Sequence, residues 1–409
     1  MATNWMSKFP AFRWLTEIRG KCTFPGKCMS VKLTIYIPTY NRAELLKMQL
    51  ESLAEALLRV DATRCEVIVS DNCSTDHTES VVKSFGSRID LKYSRNETNL
   101  GPVKNFLKMP FLASGEFLWL LGDDDLVFPY SLAEIFAAFD RHPEIDGFIA
   151  SHLTEDASSR DTIAAQLKSG ASVESNRWLF SPDIEFETLD RFEYIFNYTQ
   201  GGAPLNFISN VILSKKRWLE NEGEVRQHSE NHEDLSDTIT TGPHTCIWAK
   251  ALVGRRVGII RRPLVVGFVG DQNFLSKWDV FNFVYFLGMS DIYTALGADK
   301  QCVAKYRDAT LKNVTALERL LISRDEYTKK NFSLRNLIIK FGNELELLKS
   351  LQSILIKSRS IKAKLSILFA LFASFVVNRR SVTSGFVELI VYDKMKIHHK
   401  LFKKTIHAN

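Results

Sequence analysis

The chain is poor in cysteine, with six in 409 residues, at positions 22, 28, 65, 73, 246 and 302. Only Cys22 and Cys28 lie close together, and their spacing fits no common zinc pattern. That excludes a secreted disulfide scaffold and suits a reducing compartment. Long apolar runs are also missing. The nearest is Leu365 to Val377, interrupted by Ser366 and Ser374, which falls short of the roughly 18–20 apolar residues of a membrane-spanning helix. Residues 1–30 have no continuous apolar core, so a loosely structured leader is expected there rather than a signal peptide. No Gly-x-Gly-x-x-Gly follows the first β-prone run and no Walker A sequence occurs, which excludes a standard dinucleotide fold and a P-loop.

Charge is present, but unevenly. The formal net charge is +6, from 53 Lys+Arg and 47 Asp+Glu. Residues 300–409 hold 22 of the basic and 8 of the acidic residues, a net of +14, which leaves −8 for residues 1–299. A basic tail on an acidic body implies either contact with an anionic surface or a solvated basic bundle. The acidic body extends no basic groove, so nucleic acid is not an expected partner.

Between residues 33 and 150 β-prone and helix-periodic segments alternate. Strands are expected at Leu33–Ile37, Glu66–Ser70, Ile89–Tyr93, Phe117–Leu121 and Ile145–Ala150. Helices are expected at 43–59, 77–85, 103–111 and from Pro129 to Arg141. This is an α/β pattern with a mainly parallel sheet. Polar clusters at 38–42, 71–76, 95–105 and 122–125 follow strands or open helices, and parallel topology brings such segments to one edge.

The densest cluster is Gly122-Asp123-Asp124-Asp125. Three adjacent carboxylates repel one another, and burying them unpaired costs several kcal/mol. A hard divalent ion, Mg²⁺ or Mn²⁺, held by Asp123, Asp124 and Asp125 would relieve this and could in turn hold phosphate oxygens. The plainer alternative is an acidic turn that caps the next helix. Asp76 would cap a helix on structural grounds alone. Asp71 sits at a strand tip, where it could accept a hydrogen bond from a base or ribose. Lys104 lies on the first turn of a helix, where an anion would fit.

Ile35-Tyr36-Ile37-Pro38-Thr39-Tyr40-Asn41-Arg42, Val69-Ser70-Asp71-Asn72-Cys73-Ser74-Thr75-Asp76, Asn99-Leu100-Gly101 and Leu121-Gly122-Asp123-Asp124-Asp125 together resemble family 2 glycosyltransferases of the GT-A fold. Residues 31–150 carry the resemblance, and the Trp-Leu-Leu-Gly-Asp-Asp-Asp form is closest to the abequosyltransferase-like branch of bacterial surface polysaccharide synthesis. A weaker match continues at Asn206–Leu213 and Trp218. The resemblance implies a nucleotide-diphospho-sugar transferase fold over residues 31–275, followed by a basic helical region, 276–409. Pro38, Thr39, Asn41 and Arg42 would line the donor pocket, and Asp71 would meet the base or ribose with Asp76 supporting its loop. Lys104 would approach the donor. Asp124 would be the main metal carboxylate, Asp123 would contact ribose or metal through water, and Asp125 would orient the site or the acceptor side. Many members carry an aspartate where this chain has Gly122.

Transfer from a nucleoside diphosphate leaves charge on a phosphate oxygen, which a divalent ion stabilises. An inverting reaction, expected from the family, also needs a base for the acceptor hydroxyl, a glycan or lipid-linked oligosaccharide. Candidates are Glu233, Asp234, Asp237 and His244, within a run from Gln227 to Thr245 rich in titratable residues. Its histidines lack the His-Glu-x-x-His motif, so a solvated polar loop is the plainer reading than zinc. Trp178, Phe180 and Phe186 could face a sugar or sit in the core. Arg255, Arg256, Arg261 and Arg262 flank two expected strands, Val257–Ile260 and Leu264–Phe268, and could meet phosphate or an anionic lipid carrier. Basic residues at 357–364 and at Arg379 and Arg380 bracket the apolar run Leu365–Val377. That pattern suits either an anionic membrane surface, through residues 357–380, or a helix buried in a bundle. A cytoplasmic protein, peripheral on the inner face of the plasma membrane, is the corresponding expectation. A nucleotidyltransferase could use the same acids, but the chain has no arginine- and lysine-rich triphosphate loop beside the first strand. A basic-tailed scaffold is the non-enzymatic alternative.

Overall fold

A computed structural model describes residues 31–368 apart from 176–178, 181–184, 200–204, 206, 233–236, 271–284, 313, 324–331, 333, 335–336 and 338–344. Nine strands form one sheet: β1 Leu33–Thr39, β2 Cys65–Asp71, β3 Leu91–Arg95, β4 Phe117–Leu120, β5 Leu126–Val127, β6 Gly147–Asp156, β7 Thr188–Leu189, β8 Val211–Ser214 and β9 Val257–Val269. The order is β3-β2-β1-β4-β8-β6-β9-β5, with β7 paired to β9. Strands β1 to β4 are parallel neighbours. Strand β8 runs antiparallel between β4 and β6, and β9 runs parallel to β6. Six strands therefore share one direction, and β5, β7 and β8 oppose it. The sheet is mixed and mostly parallel, with a helical C-terminal extension, as expected of the GT-A fold.

Alternation along the central strands explains why both faces are covered. Leu33, Ile35 and Ile37 of β1, with Val67, Val69, Phe117 and Trp119, point to one face, where they meet Leu46, Leu50 and Leu53 of the helix Ala43–Leu57. Tyr36, Ile68, Leu118 and Leu120 point to the other and pack with Val103, Leu107, Trp218 and Trp248 from three helices. A strand buried on both faces reads as a continuous apolar run.

Several elements depart from expectation for local reasons. The helix expected at 103–111 is two: Gly101–Leu107 and Met109–Leu112. Pro110 has no N–H to donate and its ring crowds the preceding turn. The two strands expected at 257–268 are one, β9, whose register against β6 shifts between Ala150 and His152. Arg261, Arg262 and Pro263 fall in that irregularity and two of them are exposed. The polar run at 227–237 is not one loop: Gly223–Asn231 is helical. His244 stands inside the first turn of the helix Pro243–Leu252 rather than before it.

Beyond the sheet, the helices Phe286–Ala295 and Lys300–Leu311 place Met289, Tyr293, Cys302 and Tyr306 in the same core as Phe192 and Trp248. The helices Val314–Ile322 and Leu345–Lys357 and residues 361–368 form a smaller cluster of their own around Leu317, Leu347, Leu351 and Ile367. Among the described residues no helix is long and apolar enough to cross a membrane.

Candidate active site

Register brings the polar segments to one edge. Thr39 at the end of β1 pairs with Asp71 at the end of β2, which pairs with Arg95 at the end of β3. On the other side of β1, Leu121 N donates to Tyr36 O at 2.9 Å, which delivers Gly122 to Asp125 beside Thr39. The carboxyl ends of adjacent parallel strands, at the point where chain order reverses across the sheet, are where open α/β folds bind ligands.

Within this edge Thr39 Oγ1 donates to Asp123 Oδ2 at 2.7 Å. Arg42, on the turn after β1, donates through Nη1 to Asp123 Oδ1 at 2.7 Å and through Nη2 to Asp124 Oδ2 at 2.6 Å. One guanidinium thus spans two carboxylates. Burial pushes Asp123 up to about 7 and the neighbouring Asp124 adds to this, while Arg42 and Thr39 pull it down. Asp125 is raised well above the usual carboxylate range by burial and by Asp124, against a hydrogen bond from Ser209. Asp123 and Asp124 share one guanidinium, and a divalent cation would offset the charge that ionisation of both leaves unmatched. Asp124 is the member of the triplet that reaches solvent, with a side chain 17% exposed against 6% for Asp123. A hard cation with oxygen ligands fits this donor set, and Asp124 is the carboxylate that could reach one.

Asp125 is placed differently from its neighbours. It is buried, accepts a hydrogen bond from Ser209 Oγ, and has its other oxygen facing Gly267. Ser209 Oγ in turn accepts from Gly122 N at 2.8 Å, and the indole of Trp119 donates to Ser209 O at 2.8 Å. Asp125 therefore braces the strand end from inside. This also accounts for Gly122: a Cβ there would stand 2.6 Å from Asp125 Oδ2. The space that a side chain at 122 would need is filled by Asp125.

The loop after β2 is tied to the turn after β1. Asn41, at φ 52°, accepts from Thr75 N at 2.7 Å, and its own N–H donates to Ser74 Oγ at 2.9 Å. Asparagine tolerates this left-handed backbone better than most residues. Asp76 accepts from Thr78 N and from Ala43 N, both at 3.0 Å, so it serves the N-termini of two helices. Partial burial would raise Asp76, but the hydrogen bonds from Thr78 and Ala43 hold it below the usual range. Asp71 is 1% exposed and committed to Tyr93 OH at 2.6 Å and Ser74 N at 2.8 Å, with Arg95 Nε at 3.4 Å. Its carboxylate is enclosed by these partners rather than open to a base. Pro38 is buried opposite Ser70. Lys104 is exposed on Gly101–Leu107 and makes no hydrogen bond or ion pair with a described residue.

His244 is 9% exposed, packed edge-on against Phe106 and Trp248, and its Nδ1 has no hydrogen-bond partner among the described residues. Burial lowers it to about 3, so the ring is neutral at physiological pH and weakly basic. Asp237 is occupied as a helix cap and accepts from His228. Glu233, Asp234 and Trp178 lie outside the described residues. Phe180 is 2% exposed and Phe186 packs on the core against Tyr198. Arg262 pairs with Glu134 at 3.2 Å and lies over the Tyr130 ring, while Arg256 pairs with Glu144 at 3.4 Å.

Residues that sequence reasoning passed over are Ser209, Tyr93 and Arg95, which bond the acids, and Gly267, which leaves room for Asp125. Asn72, Asn96, Asn99 and Asn105 were also missed as a unit. Asn72 Oδ1 accepts from Asn96 at 2.9 Å and from Leu100 N at 2.9 Å, and Asn105 bonds both Ser70 O and Ser70 Oγ. Four asparagines after strands were the available signal.

Residues 34–206 match the model of the family described as Glycosyl transferase family 2. Abequosyltransferase RfbV of Salmonella typhimurium is 30% identical over 189 residues, 46% of this chain and 54% of that protein. The poly(ribitol-phosphate) beta-N-acetylglucosaminyltransferase TarS of Staphylococcus aureus is 34% identical over 116 residues, 27% of this chain and 19% of that protein. The chain thus spans about half the length of the first of these relatives, and less of the second. The crystal structure of S. aureus TarS 1-349 in complex with UDP-GlcNAc superposes with a TM-score of 0.53 at 17% identity, covering 85% of this chain and 92% of that one, a likeness of fold. Family match, sheet order and strand-end acids agree: residues 34–206 are similar to glycosyl transferase family 2, and the mixed, mostly parallel sheet is that of the GT-A fold.

Proposed function

We propose that the protein transfers a sugar from a nucleoside-diphosphate donor to a hydroxyl of a glycan or lipid-linked oligosaccharide, with inversion, in the synthesis of a bacterial surface polysaccharide such as O-antigen. The observation that carries this reading is the Arg42-bridged pair Asp123–Asp124 at the carboxyl end of β4, beside Thr39. The likeness to Abequosyltransferase RfbV supports the narrower branch. The catalytic domain is assigned to residues 31–275 and a basic helical region to 276–409.

In this reading Asp124 holds Mg²⁺ or Mn²⁺, with Asp123 beside it. The ion, when bound, neutralises charge that develops on the departing diphosphate. Arg42, relieved of part of its pairing with the carboxylates, is placed to contact the donor phosphates. Thr39 and Arg42 fix Asp123, while Asp125 and Ser209 keep the strand end rigid. Pro38, Asn41 and the Asp71–Asp76 loop shape the nucleotide side, and Lys104 offers a solvent-facing cation toward the donor. His244, neutral and buried, serves the acceptor side as a poor base, which favours Glu233 or Asp234 for deprotonating the acceptor hydroxyl.

Membrane contact has its own support. Ile356, Ile361, Leu365 and Leu368 are 65%, 73%, 60% and 54% exposed beside Lys357, Arg359, Lys362 and Lys364. Exposed apolar side chains among basic ones suit an anionic bilayer surface. Cosedimentation with vesicles containing anionic lipid, reduced by added salt, is expected.

The deciding experiment measures metal-dependent hydrolysis of UDP-, CDP-, GDP- and dTDP-sugars by wild type and by Asp124→Ala. One preferred donor is expected, with turnover lost on chelation and reduced at least about 100-fold in D124A, the scale on which loss of electrostatic stabilisation acts. Absence of binding to every donor with either ion and with acceptor present would refute the transferase reading.

A further inference from the structure

We propose that His228, His232 and Asp237 form a second cation site, selective for a borderline transition metal, with Zn²⁺ the best fit, separate from the strand-end carboxylates. The helix Gly223–Asn231 carries His228, and His232 follows one turn later as its cap. Residues four apart share a helix face. The two imidazoles are stacked, with centroids 3.9 Å apart and planes 10° from parallel.

The hydrogen bonds direct those lone pairs. His232 Nδ1 donates to His228 O at 2.8 Å, which fixes its tautomer and leaves Nε2 as the acceptor. A ring nitrogen tied to a backbone carbonyl is the arrangement that orients metal-binding histidines. Asp237 divides its two oxygens. Oδ1 accepts from Ile239 N at 2.8 Å and Thr240 N at 2.9 Å in a capping box, which holds the carboxylate in place. Oδ2 accepts from His228 Nε2 at 2.6 Å, through a proton that a bound cation would displace. One nitrogen from each ring and one carboxylate oxygen lie within 4.8 Å of one another. Zinc bonds of about 2.0–2.1 Å place tetrahedral ligands roughly 3.3 Å apart. Stacked rings aim their lone pairs side by side, so binding requires the His232 ring to turn out of the stack, which its exposed position outside the core allows.

Donor chemistry selects the ion. Two neutral imidazoles and one carboxylate carry a single negative charge and suit a divalent cation, and their nitrogens favour Zn²⁺ over Mg²⁺ or Mn²⁺. The Asp123–Asp124 pair offers only oxygen, so the two sites are separable by metal. A simple histidine–aspartate ion pair would account for His228 but not for the hydrogen bond that fixes the tautomer of His232. The ligands also flank residues 233–236 in sequence, so an ion would tie the end of one helix to the start of the next, Thr238–Thr241, on either side of Glu233 and Asp234.

The test uses the full chain with any affinity tag removed, stripped with EDTA and desalted. Zn²⁺ is titrated against a chromophoric chelator, and Co²⁺ binding is followed by its visible absorption. One equivalent of Zn²⁺ is expected, unaffected by Asp124→Ala, weakened at least tenfold in His232→Ala and lost in the double variant His228→Ala/His232→Ala. Circular dichroism of His232→Ala, altered at an exposed position, checks that the fold is intact. No stoichiometric zinc, zinc retained by the double variant, or zinc lost with D124A each overturns the proposal. None of these results depends on transferase activity, so the proposal stands or falls apart from it.

Discussion

Replacing Arg42 by methionine keeps an unbranched, uncharged stem and removes the one guanidinium shared by Asp123 and Asp124. The contacts are 2.7 and 2.6 Å, and the side chains are 21%, 6% and 17% exposed for Arg42, Asp123 and Asp124. Removing one partner of a buried ion pair costs about 3–5 kcal/mol because the other charge stays behind. Partial exposure of Arg42 and Asp124 puts the expected cost at the low end, about 3 kcal/mol. An unfolding entropy of about 2.1 cal/mol/K per residue gives roughly 0.9 kcal/mol/K for a chain this size, so Tm should fall by about 3–4 °C in EDTA at pH 7.5. The pH dependence has a definite sign. Asp123 is raised in the folded protein to about 7, against about 3.9 unfolded. The folded state then holds the proton more tightly, and this group's contribution to stability falls as pH rises from about 4 to about 7. Without Arg42 the folded value rises further and the window extends upward. The deficit of R42M should therefore widen toward pH 8, shrink toward pH 5, and be partly restored by Mn²⁺. Differential scanning calorimetry at three pH values decides it. A variant that melts within about 1 °C of wild type throughout, or with the same deficit at pH 5 and 8, would show that Arg42 is not the counter-charge for this pair.

Gly122→Ala places a Cβ 2.6 Å from Asp125 Oδ2 and should cost about 1–3 kcal/mol by overpacking, with weaker Mn²⁺ binding by calorimetric titration; an unchanged Tm would mean that the turn has room to spare. Asp125→Asn is expected to leave stability at pH 7.5 unchanged or raised, and increasingly favoured over wild type as pH rises, because it replaces a buried acid whose ionisation burial opposes; a fall of several degrees in thermal melts would show that the ionised form is required. Asp76→Ala removes an acceptor shared by two helix starts and should cost about 1 kcal/mol in urea unfolding. The D76A deficit should be present above about pH 4 and shrink as pH falls through the lowered folded value, since a depressed carboxylate stabilises only while ionised.

The half of the chain that was legible in the sequence is the half whose strands are buried on both faces. Leu33–Thr39 and Phe117–Leu120 announce themselves as apolar runs because each alternate residue meets a different helical layer, and the polar residues that follow must gather at one edge once the strands are parallel. Legibility fails where a residue's role depends on a partner distant in sequence. The triplet Asp123–Asp125 reads as three equivalent acids, yet Ser209, 84 positions away from Asp125, takes one of them into the interior, and Thr39 and Arg42 take the others. Gly122 stands where many family members carry an aspartate, and the atom that forbids a side chain there belongs to Asp125. Likewise the histidine-rich run read as a polar loop because its members are exposed and hydrophilic, and only the helix Gly223–Asn231 reveals that His228 and His232 share a face. Burying a carboxylate is costly, so such groups survive only where neighbours satisfy them. In this fold those neighbours are Thr39 at the end of β1, Arg42 on the turn after it and Ser209 on the short turn before β8. The division of labour within the triplet is thus a property of the closed sheet, and substitutions at Ser209 or Gly267 should disturb the strand-end acids as surely as substitutions beside them in sequence.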